Sequence, residues 1–140
     1  RKFLDNYYYI MAIIALLDKV CQENHTEKEV FNLLLRILDD INDQKASIDI
    51  IFLYFLFQLN KALGFQLEPS HSDTNLFYYI QILNQINQDV SKIEKFLEDI
   101  ELINKIKIVI YNHMKNYFID LNDIYAIKIL RNHGISSRSN

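Results

Sequence analysis

The sequence predicts an all-α protein, a bundle of five to six helices, and three observations carry that reading. The 140 residues contain only two glycines, Gly64 and Gly134, and one proline, Pro69, too little turn chemistry for the repeated tight hairpins of an all-β fold. Half of the residues are apolar, which at this length suffices for one core without disulfide or metal staples. Along most of the chain the apolar residues recur at steps of three and four, the period of an amphipathic helix.

The first helix is expected over residues 2–22, where Phe3, Tyr7, Ile10, Ile14, Leu17 and Cys21 form one stripe and Tyr8, Met11, Ile13, Leu16 and Val20 a second. With two stripes it should be mostly buried. Asn24 and His25 break the pattern, and Thr26 followed by Glu29 has the spacing of a capping box that opens a second helix. That helix should run to about Asn42 and bury Val30, Phe31, Leu34, Leu35, Leu38 and Ile41.

A third helix, Lys45 to Leu63, holds the most apolar run of the chain, Ile50 to Phe57. A bilayer span needs about 20 apolar residues, and Asp49, Gln58 and Lys61 bracket this run too closely, so it reads as the central, fully surrounded helix of the bundle. Gly64 is placed as its C-terminal cap, with Pro69 beyond. Residues 65–74 form a loop ending in Ser70-His71-Ser72-Asp73-Thr74, any of whose last members can cap the next helix.

From Leu76 the spacing alternates three and four through Tyr79, Leu83, Ile86, Val90, Ile93, Leu97 and Ile100, a heptad seam. One helix from there to Phe118 would be too long for a domain of this size. A break is expected at Asn87 to Ser91, with Ser91 and Glu94 as a second capping box, which makes the seam two antiparallel helices packing on the bundle, the alternative being an intermolecular coiled coil. A last short helix, about Asn122 to Asn132, should end at Gly134. Residues 1–134 then form a single domain and 135–140 a frayed tail.

No residue pattern points to chemistry. Ser70, His71 and Asp73 are triad residue types, but side chains so close in sequence do not generally converge, and no nucleophile elbow surrounds them. Cys21 and His25 could hold a metal from one helical turn but lack the third and fourth ligands. The lone cysteine excludes an intramolecular disulfide and fits a reducing, cytoplasmic setting. The acidic groups Asp39, Asp40, Asp43 and Glu98, Asp99, Glu101 read as solvated helix faces. Glycines seventy residues apart exclude a P-loop. Tyr7, Tyr8, Tyr9, Phe77, Tyr78 and Tyr79 supply aromatic stripes that read first as core. Function is therefore expected to be binding, with no catalytic residue, cofactor or metal.

The formal charge is −3, unevenly spread: residues 1–70 carry seven Lys/Arg against ten Asp/Glu, and residues 105–140 six against two. Lys105, Lys107, Lys115, Lys128 and Arg131 are the candidate contacts if the basic end meets nucleic acid, as non-specific phosphate partners.

Three segments in order carry a family resemblance: Asn6-Tyr7-Tyr8-Tyr9-Ile10, then Glu29-Val30-Phe31-Asn32-Leu33-Leu34-Leu35-Arg36-Ile37-Leu38, then Asn60-Lys61-Ala62-Leu63-Gly64-Phe65. Together they resemble the helical C-terminal region of the bacterial repair protein RecO, in which a Phe-x-Leu-Leu segment precedes a helix ending in Leu-Gly-Tyr or Leu-Gly-Phe. His113 to Asn122 is similar to that family's closing helix and Leu-Lys-Ser turn. The resemblance implies recombinational repair by binding: annealing single strands, pairing with RecR, and loading the RecA recombinase onto DNA coated by single-stranded-DNA-binding protein. It also implies a preceding OB-fold, so that a chain opening at Arg1 rather than Met would be the helical remainder of a longer protein. Many relatives carry a four-cysteine zinc site after Leu-Gly; residues 65–92 contain no cysteine, and zinc is not expected. An Arg that in relatives helps receive the acidic tail of the single-stranded-DNA-binding protein gives way to Leu53, Tyr54, Phe55 and Leu56. The family's Leu-Lys-Ser reads Leu121-Asn122-Asp123. The other reading the residues allow is a helical scaffold or peptide-binding module unrelated to repair.

Overall fold

A computed structural model describes residues 2–23, 27–68, 74–85, 88–117 and 119–132. The described residues form seven α-helices and one short 3-10 turn, with no strand among them. The helices are α1 (Lys2–Glu23), α2 (Glu27–Asn42), α3 (Ile48–Ala62), α4 (Thr74–Leu83), α5 (Val90–Phe96), α6 (Ile100–Tyr117) and α7 (Tyr125–Asn132), the 3-10 turn Leu121–Asp123 lying between the last two. The fold is all-α, as the periodicity predicts.

α3 is the centre. Every residue from Asp49 to Asn60 is buried, and α1, α2, α4, α5 and α6 all pack on it. Tyr54, Phe55 and Phe57 are fully buried, and the rings of Tyr9 and Phe52 meet edge to face at 5.3 Å, a favoured arrangement of aromatic quadrupoles. The helix begins at Ile48 rather than Lys45. The reason is the end of α2: Gln44 N–H bonds to Ile41 O and Lys45 N–H to Asp40 O, a Schellman stop with Gln44 at φ 51 in the left-handed region.

α3 ends in the same motif at its expected glycine. Gly64 has φ 85, its N–H bonds to Lys61 O and the Phe65 N–H to Asn60 O at 2.7 Å. Residues 69–73 of the loop that follows, with most of the expected capping residues of the next helix, lie outside the described residues, as do Thr26 of the first capping box and the tail at 135–140.

Burial corrects two expectations. In α2 the core face is Val30, Leu33, Ile37 and Ile41, whereas Phe31 and Leu35 are exposed and Leu34 and Leu38 only half-buried. In α1 the core face is Tyr9, Ala12, Ile13, Leu16, Leu17 and Val20, with Tyr7, Met11 and Ile14 exposed. Both helices carry more apolar residues than one face holds, so spacing alone does not choose the face.

The seam from Leu76 breaks twice. At the expected break the cap is Asp89, not Ser91: its carboxylate accepts from the Ser91 N–H at 3.0 Å and the Ser91 hydroxyl at 2.8 Å. Glu94 is used elsewhere, accepting from the Ser47 N–H at 2.9 Å at the start of α3. A second break, which the spacing does not signal, falls at 97–99, where Asp99 caps α6 by accepting from the Glu101 N–H at 3.0 Å. Asp, a strong capping residue, wins at both places. α7 starts at Tyr125, after the 3-10 turn, whose preceding Asp120 accepts from the Asn122 N–H at 2.9 Å.

Candidate functional site

The polar architecture concentrates where α3 meets the end of α4. Tyr54, Gln58 and Lys61 are spaced i, i+4, i+7 and so share one face of a mostly apolar helix. Gln58 Nε2 donates to the carbonyls of Leu83 and Gln85 at 2.9 and 3.1 Å. The Tyr54 hydroxyl donates to Gln85 O at 3.0 Å and accepts from the Gln88 N–H at 3.2 Å. Lys61 Nζ donates to Asn84 O at 2.9 Å. The last carbonyls of a helix have no partner within it; here side chains of α3 supply one.

Asn84 completes the junction by donating from Nδ2 to Leu67 O at 2.9 Å, which ties the segment after Gly64 to α4. Beside it opens a cleft of about 700 Å³ lined by Lys61, Gln66, Glu68, Phe77, Gln81, Asn84 and Gln85. Its walls are mostly amide, with one aromatic ring, one cation and one carboxylate. Such a lining suits a solvated polar chain better than a compact apolar ligand. At the Leu63-Gly64-Phe65 turn, His113 Nε2 lies 2.6 Å from the Phe65 carbonyl. A carbonyl only accepts, so this nitrogen carries the proton. The His113 ring packs on Tyr117 at 4.6 Å, and Tyr117 in turn on Phe65 at 6.0 Å.

A second polar group sits between α2, α3 and the link that joins them. The Arg36 guanidinium lies 5.6 Å from the centre of the Tyr54 ring, within cation–π range, and Asp40 pairs with Lys45 at 3.4 Å. Burial pushes the Asp40 carboxyl above the usual carboxylate range against the opposing pull of Lys45 and Arg36, and it pushes the Tyr54 hydroxyl up likewise. Asp40 is thus a structural group at a helix end, while Asp39 and Asp43 are exposed. Glu98, Asp99 and Glu101 are exposed too, Asp99 as a cap.

The sequence-derived basic candidates divide between α6 and α7. Lys105 and Lys115 stand exposed on α6, ten residues and so about 15 Å apart along its axis. Lys115 also lies 3.9 Å from Asp120. Lys107 is half-buried and turned roughly 160° around α6 from Lys105. Lys128 is exposed on α7, which packs on the 3-10 turn at the end of α6. Arg131 follows Lys128 by three positions in the same helix, and its side chain lies outside the described residues.

Among the described residues no group of three His, Cys, Asp or Glu side chains could hold a metal ion, and no helix is long and apolar enough to cross a membrane. Ser70, His71, Asp73 and His25 lie outside the described residues, and Cys21 is half-buried. The aromatic set divides between α1 and α4: Tyr9 is buried, Tyr7 and Tyr78 are about half exposed, and each of these two pairs edge to face with its neighbour, Tyr7 with Tyr8 and Tyr78 with Tyr79. Sequence reasoning misses the clamp of Tyr54, Gln58 and Lys61, although three polar positions at helical spacing in so apolar a helix are a readable sign of a polar partner.

A family model described as "Recombination protein O C terminal" matches residues 1–72. No curated protein and no solved structure shows a match. The matched span covers α1, α2, α3, the Leu63-Gly64-Phe65 turn and the Gln66 and Glu68 wall of the cleft.

Proposed function

Because the chain belongs to the family of recombination protein O C-terminal regions, a family of recombination and repair, we propose that it is the helical part of a non-enzymatic repair mediator. It acts by protein contact, with RecR and single-stranded-DNA-binding protein as partners, and touches single-stranded DNA only as an auxiliary. The family match over α1 to α3 is the observation that carries this reading. Lys105 and Lys107, which face roughly opposite sides of α6, support the auxiliary role: charges on separate faces attract a polyanion without forming a track for it.

The protein contact is assigned to the α3–α4 junction. Its amide-lined cleft offers donors and acceptors to a peptide backbone, and the Phe77 wall offers a surface for a side chain. The direct test is co-sedimentation or calorimetric titration of the chain with RecR and, separately, with single-stranded-DNA-binding protein. Binding to at least one of them, abolished by Gln81→Glu with Gln85→Glu, is the expected result; binding to neither sinks the mediator reading. For DNA, reversing all five basic residues should weaken single-strand affinity in the longest form of the protein. Each phosphate no longer engaged should reduce the salt slope by about 0.7, and unchanged affinity and slope remove DNA from the proposal.

A further inference from the structure

One wall of the cleft beside Asn84 is held from outside the cleft. Phe65 to Glu68 leave the end of α3 as a strap that belongs to no helix, and their exposure alternates: Leu67 is buried, while Gln66 and Glu68 are exposed and line the cleft. Side chains from two different helices hold the carbonyls in between. Asn84, at the end of α4, donates to Leu67 O at 2.9 Å, and His113 of α6 donates to Phe65 O at 2.6 Å. Asn84 is itself a cleft residue, whereas His113 does not line the cleft.

We infer that His113 is a positioning residue for the Gln66 and Glu68 wall, and that α6 through it sets how the strap stands against Gln81 and Gln85 on the α4 side of the cleft. The Phe65 N–H is tied to Asn60 O at 2.7 Å, so the chain leaves α3 from a fixed point. Its direction from there depends on the peptide plane between Phe65 and Gln66, which is rigid and carries both the Phe65 oxygen and the Gln66 N–H. Holding that oxygen holds the plane, and with it the first residue of the wall. The same helix also grips the Phe65 side chain: Tyr117, one turn beyond His113 on α6, packs on the His113 ring at 4.6 Å and on the Phe65 ring at 6.0 Å. α6 is itself anchored by Ile103, Ile106, Ile110 and Met114 in the core, so the grip has a firm base. The inference rests on the reading of the cleft as the protein-contact site and adds how the shape of that site is controlled. A partner that needs the wall in place then binds more weakly when the grip is lost, and by linkage a bound partner steadies the grip.

Backbone amide relaxation of the whole chain by NMR tests the positioning role directly. In the parent the Gln66, Leu67 and Glu68 amides should show order parameters near the rigid value of about 0.85. His113→Phe keeps a ring against Tyr117 and removes the donor; it should lower them below about 0.6 and shift the Gln81 and Gln85 resonances across the cleft. His113→Gln, whose amide can donate to the same carbonyl, should restore both, and a thermal unfolding curve for each variant confirms that it folds. Where RecR or single-stranded-DNA-binding protein binds the parent, His113→Phe should weaken that binding roughly five- to tenfold and His113→Gln should return it. A parent that binds neither partner ends the protein-contact reading, while the order parameters still decide the role of His113. A strap as rigid in His113→Phe as in the parent overturns the inference. So does mobility that His113→Gln fails to reverse, or partner binding that His113→Phe leaves unchanged.

Discussion

The Glu94 carboxylate accepts a hydrogen bond from the Ser47 N–H at 2.9 Å across 47 residues of chain. Ser47 is the residue before α3 and its own side chain makes no cap bond, so a carboxylate from α5 stands where a local cap would. It brings a negative charge to the positive end of the α3 dipole. Glu94→Ala should cost about 1–2 kcal/mol in urea unfolding, and Ser91→Ala clearly less, because the α5 cap belongs to Asp89. Equal costs for the two would mean that Glu94 serves only its own helix.

The two Schellman stops differ in the residue that takes the left-handed conformation, which is Gly64 after α3 and Gln44 after α2. Gly64→Ala should destabilise by about 1 kcal/mol, through backbone strain alone, because a methyl group there would meet nothing within 4 Å. Gln44→Gly should do the reverse and stabilise by a few tenths of a kcal/mol to about 1 kcal/mol, the relief of strain offset in part by unfolded-state entropy. Chemical denaturation of the two variants side by side checks the sign of each.

Gln58 gives both of its amide hydrogens to the exit of α4. Gln58→Leu keeps the bulk but leaves the Leu83 carbonyl and one bond of Gln85 unmet, so a loss of about 2–3 kcal/mol is expected. Hydrogen exchange should rise locally around residues 83–85 before the rest of the protein responds. Uniform acceleration across all helices would show that the clamp is not a separate unit.

The Asp40 carboxyl is raised above the ordinary aspartate range, mainly by burial. A carboxyl whose folded pKa exceeds its unfolded one binds its proton more tightly when folded. Its contribution to stability is therefore full below the unfolded pKa and lost as pH rises through the folded value. Asp40→Asn should accordingly be more stable than the parent at pH 7, and the difference should shrink toward about pH 4. Exposed Asp89 runs the other way: the Ser91 hydrogen bonds lower its pKa, so its benefit is present at neutral pH and fades as the carboxyl is protonated. Paired unfolding curves from about pH 3 to pH 8, which bracket the carboxylate range, distinguish the two.

How much of the fold is legible in the sequence depends on whether one physical signal stands alone. Gly64 stands alone, and the end of α3 falls where the glycine puts it. The run from Ile50 to Phe57 admits only a surrounded helix, and the helix is surrounded. Where signals compete, local reasoning fails. Leu33 and Leu34 both suit a core face, and only tertiary packing decides that Leu33 enters and Phe31 stays out. Ser91 and Glu94 have a capping-box spacing, but Asp89 two residues earlier takes the cap, and nothing local says that Glu94 is needed at Ser47. The clamp on α4 is long-range by nature: Gln58 and Leu83 are 25 positions apart, and no periodicity links them. The five basic candidates come from composition, which carries charge but not direction.

A helix buried on every side has a consequence for how its own rotation is chosen. An ordinary surface helix is oriented by its apolar stripe, but α3 presents apolar groups to all its neighbours, and hydrophobic burial barely distinguishes one azimuth from another. The polar groups do distinguish them. Turned by one residue's rotation, Tyr54 and Gln58 would no longer reach the carbonyls they serve, and Asp49, buried in the first turn with its carboxylate on the Ile50 N–H, would face different surroundings. The few polar side chains of α3 thus act as the key that indexes an otherwise featureless axle. Replacing them all with well-packed apolar residues should give a protein that still collapses, yet settles into several rotational settings of its central helix instead of one.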